Sequence, residues 1–437
     1  MQPTYNATTA KLSLLPLLIF VALFLGTGLY LQSQGVDYAF YQLPAPVAIL
    51  PAIVIAFLIT KQSINASVET FIRGAGHSNI ITMCLIYLLA GAFSAVAGAT
   101  GGVDAVVNAG LSFIPASMLL PGLFLIAAIV STAMGTSMGT IGAIGPIALA
   151  VSAKTGIDPA LMAGTIVSGA MFGDNLSIIS DTTIAATRTQ GCEMKDKFRE
   201  NLKIALPAAI LTITLLVMLT PPPQQVEVAE FDWLLVLPYF FILVLAVMGL
   251  NVFVVLFSGI IFAAIMGFTG DYQGGAFVKD VYQGFSDMQE IFLLSMFIGG
   301  LSEFIRRGGG LDYLANKIQA LTKIIARFNR KVADQIGIAL LVMTSNLCIA
   351  NNTVSIIVAG PVAKKLADDG DIAAKRSASL LDIFACVLQG SLPYGAQALL
   401  LGATFSISPW QVSTSAYYCF ILAVTAIITI ILRRHRG

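Results

Sequence analysis

Two aspartates lie seven residues apart within a strongly apolar part of the chain. Asp174 and Asp181 belong to the segment FGDNLSIISDTT at residues 172–183, in which glycine, asparagine and hydroxyl residues accompany the acids. A carboxylate in the middle of a bilayer costs on the order of 3 kcal/mol, so it is rarely kept without a function. Protons and small cations can compete for such a carboxylate. The segment therefore predicts an ion-binding site inside a membrane.

The composition predicts the membrane environment. Of the 437 residues, 57% are hydrophobic and 11% are charged, against about 25% charged in soluble domains. Apolar stretches long enough to span about 30 Å of hydrocarbon as helices recur along the chain, for example at residues 12–31 and 417–434. The first stretch lacks a small-residue cleavage site, so we interpret it as a membrane crossing. No segment remains for a soluble catalytic domain, and we predict an all-α polytopic membrane protein that is not an enzyme.

The sequence predicts no cofactor and no nucleic-acid partner. The five cysteines have neither paired nor metal-type spacing, and the chain has only two histidines. We interpret the cysteines as small buried apolar residues. The absence of a Walker-type glycine loop argues against ATP as an energy source.

An internal repeat divides the chain into two halves. A shift of 208 positions brings seven identical residues into register, and matches at offsets of 215 and 217 continue the pattern. Residues 10–220 and 232–434 are therefore predicted to be two transmembrane repeats, with a polar linker at 221–231. The seven matches pair Gly76, Ser78, Gly91, Ser94, Gly101, Gly102 and Asp104 with Gly284, Ser286, Gly299, Ser302, Gly309, Gly310 and Asp312.

Each repeat is predicted to contain five crossings, a re-entrant hairpin and a broken helix. The order is three crossings, an amphipathic stretch, an interrupted segment that dips in and returns, a second interrupted segment that crosses, and a last crossing. Because five is odd, the two repeats are inverted. The predicted segments are 12–31, 45–60, 80–99, 119–152, 158–188 and 201–220 in the first half, and 233–249, 251–267, 288–305, 335–365, 374–404 and 410–432 in the second.

The distribution of positive charge favours this topology. With both termini in the cytoplasm, 22 of the 24 Lys and Arg residues lie on the cytoplasmic side, and only Lys154 and Lys279 lie outside. If the first interrupted segment crosses and the second dips, the numbers become 19 and 5. The positive-inside rule prefers the first arrangement. We expect a multi-pass protein of the cell inner (cytoplasmic) membrane.

Four polar stretches interrupt the apolar segments, two in each half, at residues 132–140, 172–183, 344–355 and 390–397. Non-helical backbone inside a bilayer persists only where protein or a wet cavity surrounds it. Broken helices at matching points of inverted repeats are typical of secondary transporters, which bind substrate and coupling ion near the midplane. Freed carbonyls and hydroxyl oxygens suit a small hard cation such as Na⁺. For residues 132–140, close helix packing by small residues is an equally good explanation.

The two halves differ in their acids. In the repeat register Asp174 aligns with Ser391, and Asp181 aligns with Ala398. We therefore expect a symmetric scaffold with asymmetric chemistry. Asp382, in the middle of a predicted helix, is a candidate second titratable group. An ion pair with Arg188 near the helix end is the alternative explanation for Asp181.

At these motifs the chain resembles the NhaC family of Na⁺/H⁺ antiporters. GDNLSIISDTT at residues 173–183 is similar to the family's G-D-x-x-S-x-x-S-D-T-T signature, and GTSMGTIGAIGP at residues 135–146 is similar to its T-S-x-G-T hairpin stretch. The resemblance implies an ion site and a triplet at the tip of the second hairpin. The ion-site candidates are Asp174, Asn175, Ser177, Ser180, Asp181, Thr182, Thr183, Thr136 and Ser137; the second-half candidates are Asn351, Asn352, Thr353, Ser391 and Gln397.

We therefore expect a secondary active transporter that exchanges Na⁺ for H⁺ by alternating access, with the mid-membrane aspartates as the shared site. The alternative is a Na⁺- or H⁺-coupled carrier of a small organic anion or amino acid. Expected partners are membrane lipid, Na⁺, H⁺, a small carboxylate or amino-acid solute, and a second copy of the chain in a homodimer. An intramembrane aspartyl protease also needs two aspartates. Its Gly-x-Gly-Asp and Tyr-Asp motifs are not matched by the residues that precede Asp174 and Asp181. A passive channel does not need paired hairpins and broken helices.

Overall fold

The structure is a computed structural model that describes residues 7–36, 39, 42–60, 62–113, 115, 118–178, 180–220, 230–248, 250–326 and 329–432. Within these ranges the chain forms helices and no strands. Apolar helices satisfy their own backbone hydrogen bonds, which hydrocarbon surroundings require. Most of the predicted linker, residues 221–229, lies outside the described part.

The first half contains helices α1 to α12 within the described ranges. They are α1 (Ala7–Leu12), α2 (Leu15–Ser33), α3 (Ala45–Ala48), α4 (Leu50–Ile59), α5 (Ile64–Ala75), α6 (Ser78–Ala99), α7 (Gly102–Phe113), α8 (Leu119–Met134), α9 (Ser137–Thr155), α10 (Pro159–Leu176), α11 (Asp181–Gln190) and α12 (Met194–Leu219).

The second half contains helices α13 to α23 within the described ranges. They are α13 (Trp233–Val247), α14 (Val252–Phe268), α15 (Gly274–Asp287), α16 (Gln289–Arg307), α17 (Gly310–Ile325), α18 (Arg330–Ile349), α19 (Asn352–Asp369), α20 (Ala374–Ser391), α21 (Ala396–Phe405), α22 (Pro409–Thr414) and α23 (Tyr417–Leu432).

The helices confirm a polytopic membrane protein. Among the described residues, six helical segments are long and apolar enough to cross a membrane, and the number is seven if α15 and α16, which meet at 43°, form one span. Shorter apolar helices, among them α8, α14 and α23, accompany these segments. The ten crossings and the inverted orientation stay predictions.

Three features of the helices differ from the sequence prediction. Helix α12 begins at Met194 rather than at residue 201, because polar residues of its first turns have buried partners. The last predicted helix is interrupted between α22 and α23, where a Cβ at Gly164 would clash with the carbonyl of Ser415. Helices α5 and α15 were not predicted, because both are short and amphipathic.

The interrupted segments form the centre of the molecule. Helices α20 and α21 are the most buried of the candidate spans, with 89% of their most apolar stretch inside the protein, against 28% for the first span at Thr9–Leu31. Helices α8 and α9 pack against each other, as do α18 and α19. In the broken pair, α10 packs against α8 and α9, α11 packs against α19, and both contact α20. The interrupted segments therefore lie largely inside the protein.

Helices of the two halves cross at a very close distance. A Cβ added to Gly91 of α6 would clash with the backbone of Gly284 of α15. Small residues at such crossings let helix backbones approach and gain van der Waals contact within a membrane. Helices α6 and α15 are therefore fixed against each other by their backbones.

Helices α6 and α16 bring residues of the repeat into contact with their own counterparts. The Tyr87 hydroxyl and the Ser295 hydroxyl are 3.2 Å apart. The Cys84 thiol lies 3.7 Å from the carbonyl oxygen of Phe292. Both pairs are separated by 208 positions, which is the offset of the sequence repeat.

Candidate functional site

Each half contains a helix pair interrupted by a sharp backbone turn. Between α8 and α9, Gly135 has a φ of 68°, and Thr136 then caps α9 by accepting a hydrogen bond from the Gly139 N–H. Between α18 and α19, Ala350 has a φ of 52°, and Asn351 caps α19 in the same way. A left-handed residue followed by a side-chain cap is an ordinary way to end one helix and start another. We call these turns the first tip (residues 135–137) and the second tip (residues 350–353).

The acid-bearing segment is the break between α10 and α11. Helix α10 ends at Leu176, so Asp174 lies in its last turn, and Asp181 is the first residue of α11. Ser180 caps α11 by accepting a hydrogen bond from the Thr183 N–H at 3.2 Å. The break leaves the last carbonyls of one helix and the first N–H groups of the next near the same point. Asparagine and hydroxyl residues favour this break because their side chains bond the backbone outside helices.

Both tips and both acids line one polar cavity of about 110 Å³. No lysine, arginine or histidine is among its lining residues in the described part of the chain. The described part of the cavity wall therefore holds two carboxyl groups and no basic side chain. Its polar lining residues are Asn79, Thr82, Thr136, Ser137, Asp174, Asp181, Thr182, Asn351, Asn352, Thr353, Gln389 and Gln397.

The Asp174 carboxylate is buried and is held by hydroxyl groups from two helices. Ser137 donates to Oδ2 and Thr182 donates to Oδ1, each at 3.3 Å. Hydroxyl oxygens beside a carboxylate can also act as ligands to a hard cation. The geometry thus provides an anionic oxygen with hydroxyl oxygens of the first tip and of α11 beside it.

Asp181 also lines the cavity, but its side chain is exposed. Among the described residues it forms no ion pair with Arg188, which is exposed as well. The ion-pair explanation considered for Asp181 therefore has no support in the geometry. The two acids differ in environment, because one is enclosed and the other contacts solvent.

The second half contributes amide groups that reach the first tip. Gln389 donates to the side-chain oxygen of Gln397 at 2.9 Å, and Gln397 donates to the Ser137 hydroxyl at 3.2 Å. Ser137 in turn donates to Asp174. A continuous chain of hydrogen bonds therefore connects α20 and α21 with the carboxylate of α10. Such a chain couples the positions of the two halves at the site.

A second cavity of about 300 Å³ approaches the second tip from another direction. It shares Asn351 with the polar cavity, and its charged lining residues are Arg73, Glu303 and Arg306 together with His77. The Asn351 amide contacts the sulfur of Met83 at 3.9 Å, and Met83 lines the polar cavity. We call this second cavity the vestibule.

Several predicted residues lie beside the cavity rather than in its wall. Asn175, Ser177, Ser180 and Thr183 are buried next to it, and the Ser177 carbonyl accepts a hydrogen bond from Thr183 at 2.7 Å. Ser391 donates to carbonyls of its own helix. Their roles in ion binding stay predictions.

Asp382 forms a fully buried ion pair that the sequence did not indicate. Its Oδ2 lies 2.8 Å from the Lys197 ammonium, and both side chains have 0% exposure. Lys197 also donates to Thr183 and to the carbonyl of Asn175. The charge count assigned Lys197 only to the cytoplasmic side of the membrane. The structure places its side chain inside the protein.

Other residues of the site were also missed. Asn201 donates to the Asn175 carbonyl, and the Tyr418 hydroxyl donates to the Asn175 side chain. Gln389 and Asn79 line the cavity. Gln389 lies just before the polar stretch at 390–397 and could have been included; the others had no signal in the sequence, because only the fold brings them near α10.

Chemically, the cavity is suited to a small hard cation. Carboxylate, hydroxyl and amide oxygens are the ligands that such ions prefer. No group of three or more His, Cys, Asp or Glu residues that could hold a transition metal occurs in the described part of the chain. Such a set of oxygen atoms is chemically able to bind and release a cation or a proton.

Apolar spanning helices whose broken ends meet at a polar cavity are typical of secondary transporters. Residues 4–220 match the Na⁺/H⁺ antiporter family. The chain belongs to this family, which confirms the resemblance noted in the sequence. The family transports Na⁺ and H⁺ without a cofactor, and its members are transporters and not enzymes.

Curated relatives extend the similarity over most of the chain. The malate-2H(+)/Na(+)-lactate antiporter of Bacillus subtilis is 28% identical over 354 residues, covering 73% of this chain and 73% of the relative. The Na(+)/H(+) antiporter NhaC of Alkalihalophilus pseudofirmus is 24% identical over 368 residues, covering 77% and 79%. The arginine/ornithine antiporter ArcD of Halobacterium salinarum is 22% identical over 433 residues, covering 89% and 86%.

Proposed function

We propose that this protein exchanges Na⁺ for H⁺ by alternating access, with Asp174 and Asp181 as the shared binding site. The observation that carries the proposal is the polar cavity, which contains two carboxylates and no basic lining residue among the described ones. A cavity of that charge attracts cations and disfavours anions. Hydroxyl groups of the first tip and of α11 complete a set of hard oxygen ligands.

In the proposed cycle the two acids bind Na⁺ when ionised and release it when protonated. The exposed Asp181 meets the entering ion first, and the buried Asp174 then holds it among hydroxyl groups. The protonated acids carry the proton in the opposite direction. Because an ion and a proton use the same carboxylates, neither moves freely without the other.

The proposed scaffold is a pair of inverted repeats, at residues 10–220 and 232–434, each with five crossings, a re-entrant hairpin and a broken helix. The repeated order of helices supports it, and so do the contacts between matched residues of α6 and α16. The chain is a multi-pass membrane protein. We further propose the cell inner membrane, with both termini in the cytoplasm, as its location.

The vestibule is the proposed route between the cavity and the cytoplasm. Its Arg73, His77 and Arg306 lie on the side that the positive-inside rule assigns to the cytoplasm. The second tip lies between the vestibule and the polar cavity at Asn351, which lines both. Movement of this tip would connect or disconnect the site and the cytoplasm, as alternating access requires.

Ion flux in proteoliposomes tests the proposal. The purified chain is reconstituted with a pH-sensitive dye in the lumen, and Na⁺ or choline is added outside under an imposed pH gradient. We expect Na⁺, and not choline, to dissipate the gradient without any organic solute. Empty liposomes and liposomes that contain the Asp174→Asn variant are the controls. Flux that depends strictly on an added organic solute would reject the antiporter proposal.

A second candidate function is ion-coupled transport of a small carboxylate or amino acid. The names of two relatives include such solutes, malate with lactate and arginine with ornithine. The amide groups of Asn351, Asn352, Gln389 and Gln397 line the cavity and could hydrogen-bond a carboxylate. Because the cavity wall lacks a basic residue in the described part, a carboxylate would need Na⁺ or H⁺ bound first to balance the charge.

Solute exchange distinguishes the two functions. Proteoliposomes loaded with malate, lactate, arginine or ornithine are diluted into medium with and without Na⁺, and the efflux of labelled solute is measured. Saturable efflux that accelerates with Na⁺ would support the second function. Efflux equal to that of empty liposomes for all four solutes would remove these compounds as substrates and leave the Na⁺/H⁺ proposal in place.

A further inference from the structure

The Lys197 ammonium lies within a shell of oxygen atoms at the end of α10. It is 2.8 Å from Asp382 Oδ2, 2.7 Å from the Thr183 hydroxyl and 3.2 Å from the carbonyl oxygen of Asn175. The side chain of Lys197 has no exposure to solvent. The shell therefore contains one anionic, one hydroxyl and one carbonyl oxygen, which are the ligand types of a hard cation.

Two further oxygen atoms of this buried region have no partner among the described residues. They are Oδ1 of Asp382 and Oδ1 of Asn201, and both side chains are fully buried. The other atoms of these groups are engaged, since the Asn201 amide donates to Asp382 Oδ2 at 2.7 Å. An unpaired buried acceptor is unfavourable by about 1–3 kcal/mol. The region thus contains more oxygen ligands than the ammonium uses.

Stability alone does not explain this arrangement. The free-energy cost of desolvating two buried charges often equals or exceeds the Coulomb attraction between them. Replacing such a pair by well-packed apolar side chains is therefore often neutral for stability. The pair lies beside the proposed ion site, because Asn175, whose carbonyl Lys197 contacts, directly follows Asp174. The position of the ammonium therefore suggests a role connected with ion binding.

We propose that Asp382, Asn201, Thr183 and the Asn175 carbonyl form a second cation site, and that the Lys197 ammonium permanently occupies it. The tethered charge excludes a second Na⁺ from this site. In transport terms, which rest on the proposed Na⁺/H⁺ exchange, Lys197 restricts Na⁺ binding to the polar cavity and so limits the number of Na⁺ ions carried in each cycle.

Removal of the ammonium should convert the site into one that binds Na⁺. The test compares Asp174→Asn with Asp174→Asn/Lys197→Ala, because the first substitution disables the polar cavity as an ion site. Thermal unfolding of the purified full chain is measured in NaCl and in choline chloride at equal ionic strength. We expect no Na⁺-specific effect in the single variant. In the double variant we expect an unfolding midpoint higher by roughly 3 °C at about a hundredfold excess of Na⁺ over its Kd.

A triple variant that adds Asp382→Asn is the matched control. It lacks the anionic ligand, so the Na⁺-specific rise should disappear. Equal midpoints in Na⁺ and choline for Asp174→Asn/Lys197→Ala would overturn the proposal. The same conclusion follows if that variant fails to fold even in NaCl while the triple variant folds, because Na⁺ would then be unable to replace the ammonium.

One measurement does not depend on the folding of any Lys197 variant. If Asp174→Asn, with Lys197 intact, still shows Na⁺-specific stabilisation that Asp174→Asn/Asp382→Asn lacks, then Na⁺ and the ammonium bind together and the proposal is wrong. Absence of that stabilisation agrees with it. All of these readouts measure Na⁺ binding and not transport. Absence of Na⁺/H⁺ flux in the wild type would therefore reject the proposed function without deciding whether the second cation site exists.

Discussion

Asp174→Asn removes one negative charge from the centre of the proposed site and changes little else. Asparagine has nearly the same shape, and its side-chain oxygen can still accept a hydrogen bond from Ser137 or Thr182. The substitution therefore separates the effect of charge from the effect of packing. We expect the variant to insert into the membrane and fold as the wild type does.

The magnitude follows from the Coulomb interaction. Two unit charges about 4 Å apart attract by about 4 kcal/mol at an effective dielectric constant near 20, a value that reproduces the behaviour of buried groups. Each 1.4 kcal/mol, approximately, corresponds to a tenfold change in binding. Because the Asp174 side chain is buried, solvent screens this attraction little. We expect the apparent affinity for Na⁺ to fall roughly a thousandfold.

The assay is the rate of Na⁺-driven pH-gradient dissipation in proteoliposomes, measured over a wide range of Na⁺ concentrations. Asp271→Asn, in an exposed turn after α14, is the matched control and should leave the Na⁺ dependence unchanged. If Asp174→Asn has a KM for Na⁺ within about threefold of the wild type, a difference of well under 1 kcal/mol, then Asp174 does not bind the ion.

The remaining predictions concern Asp181, Gln397 and Gly91, with Ser391 and Gly98 as matched controls. Asp181→Asn should raise the Na⁺ requirement by about tenfold, less than the change at residue 174, since the side chain is exposed and solvent screens its charge; an unchanged Na⁺ and pH dependence would exclude Asp181 from the site. Gln397→Ala removes a hydrogen bond to the first tip and should weaken Na⁺ binding about tenfold in the same flux assay. Ser391→Ala is its control and should change Na⁺ binding by less than about twofold, because the Ser391 hydroxyl donates to carbonyls of its own helix. Gly91→Ala should lower the midpoint of thermal unfolding by several degrees, because the added Cβ would clash with α15. Gly98→Ala, on the same helix with open space around it, is the control. Equal midpoints for the two variants would mean that the crossing of α6 and α15 tolerates a side chain.

Much of the fold could be predicted from the sequence because the bilayer restricts the choices. A spanning segment must be apolar and helical, so the apolar stretches predicted most helices to within a few residues. The interruptions were visible because glycine or proline, asparagine and hydroxyl residues cluster there within otherwise apolar stretches. Both helix-pair turns, at Gly135 and at Ala350, lie within predicted interruptions.

The candidate site could be predicted only in part. Asp174 stood out because an acid is costly in hydrocarbon. Lys197 did not, because it belongs to a charged run typical of a cytoplasmic helix start. Its burial depends on a long helix that passes the end of α10, and this depends on tertiary packing between segments far apart in the sequence. Charge pairs between distant segments leave no periodic pattern, so Asp382 could be identified as a candidate but its partner could not.

The two tips differ in the residue that adopts the left-handed backbone conformation. Gly135 adopts this conformation without strain, because it has no Cβ. At Ala350 the conformation costs roughly 1–2 kcal/mol. Ala350 is therefore held in its conformation by its neighbours, among them Gln389, whose amide bonds its carbonyl. The second tip can release this conformational strain when those neighbours move away. We therefore expect the second tip to move more readily than the first tip. In the proposed transport cycle, the site would then open toward the two sides of the membrane at different rates.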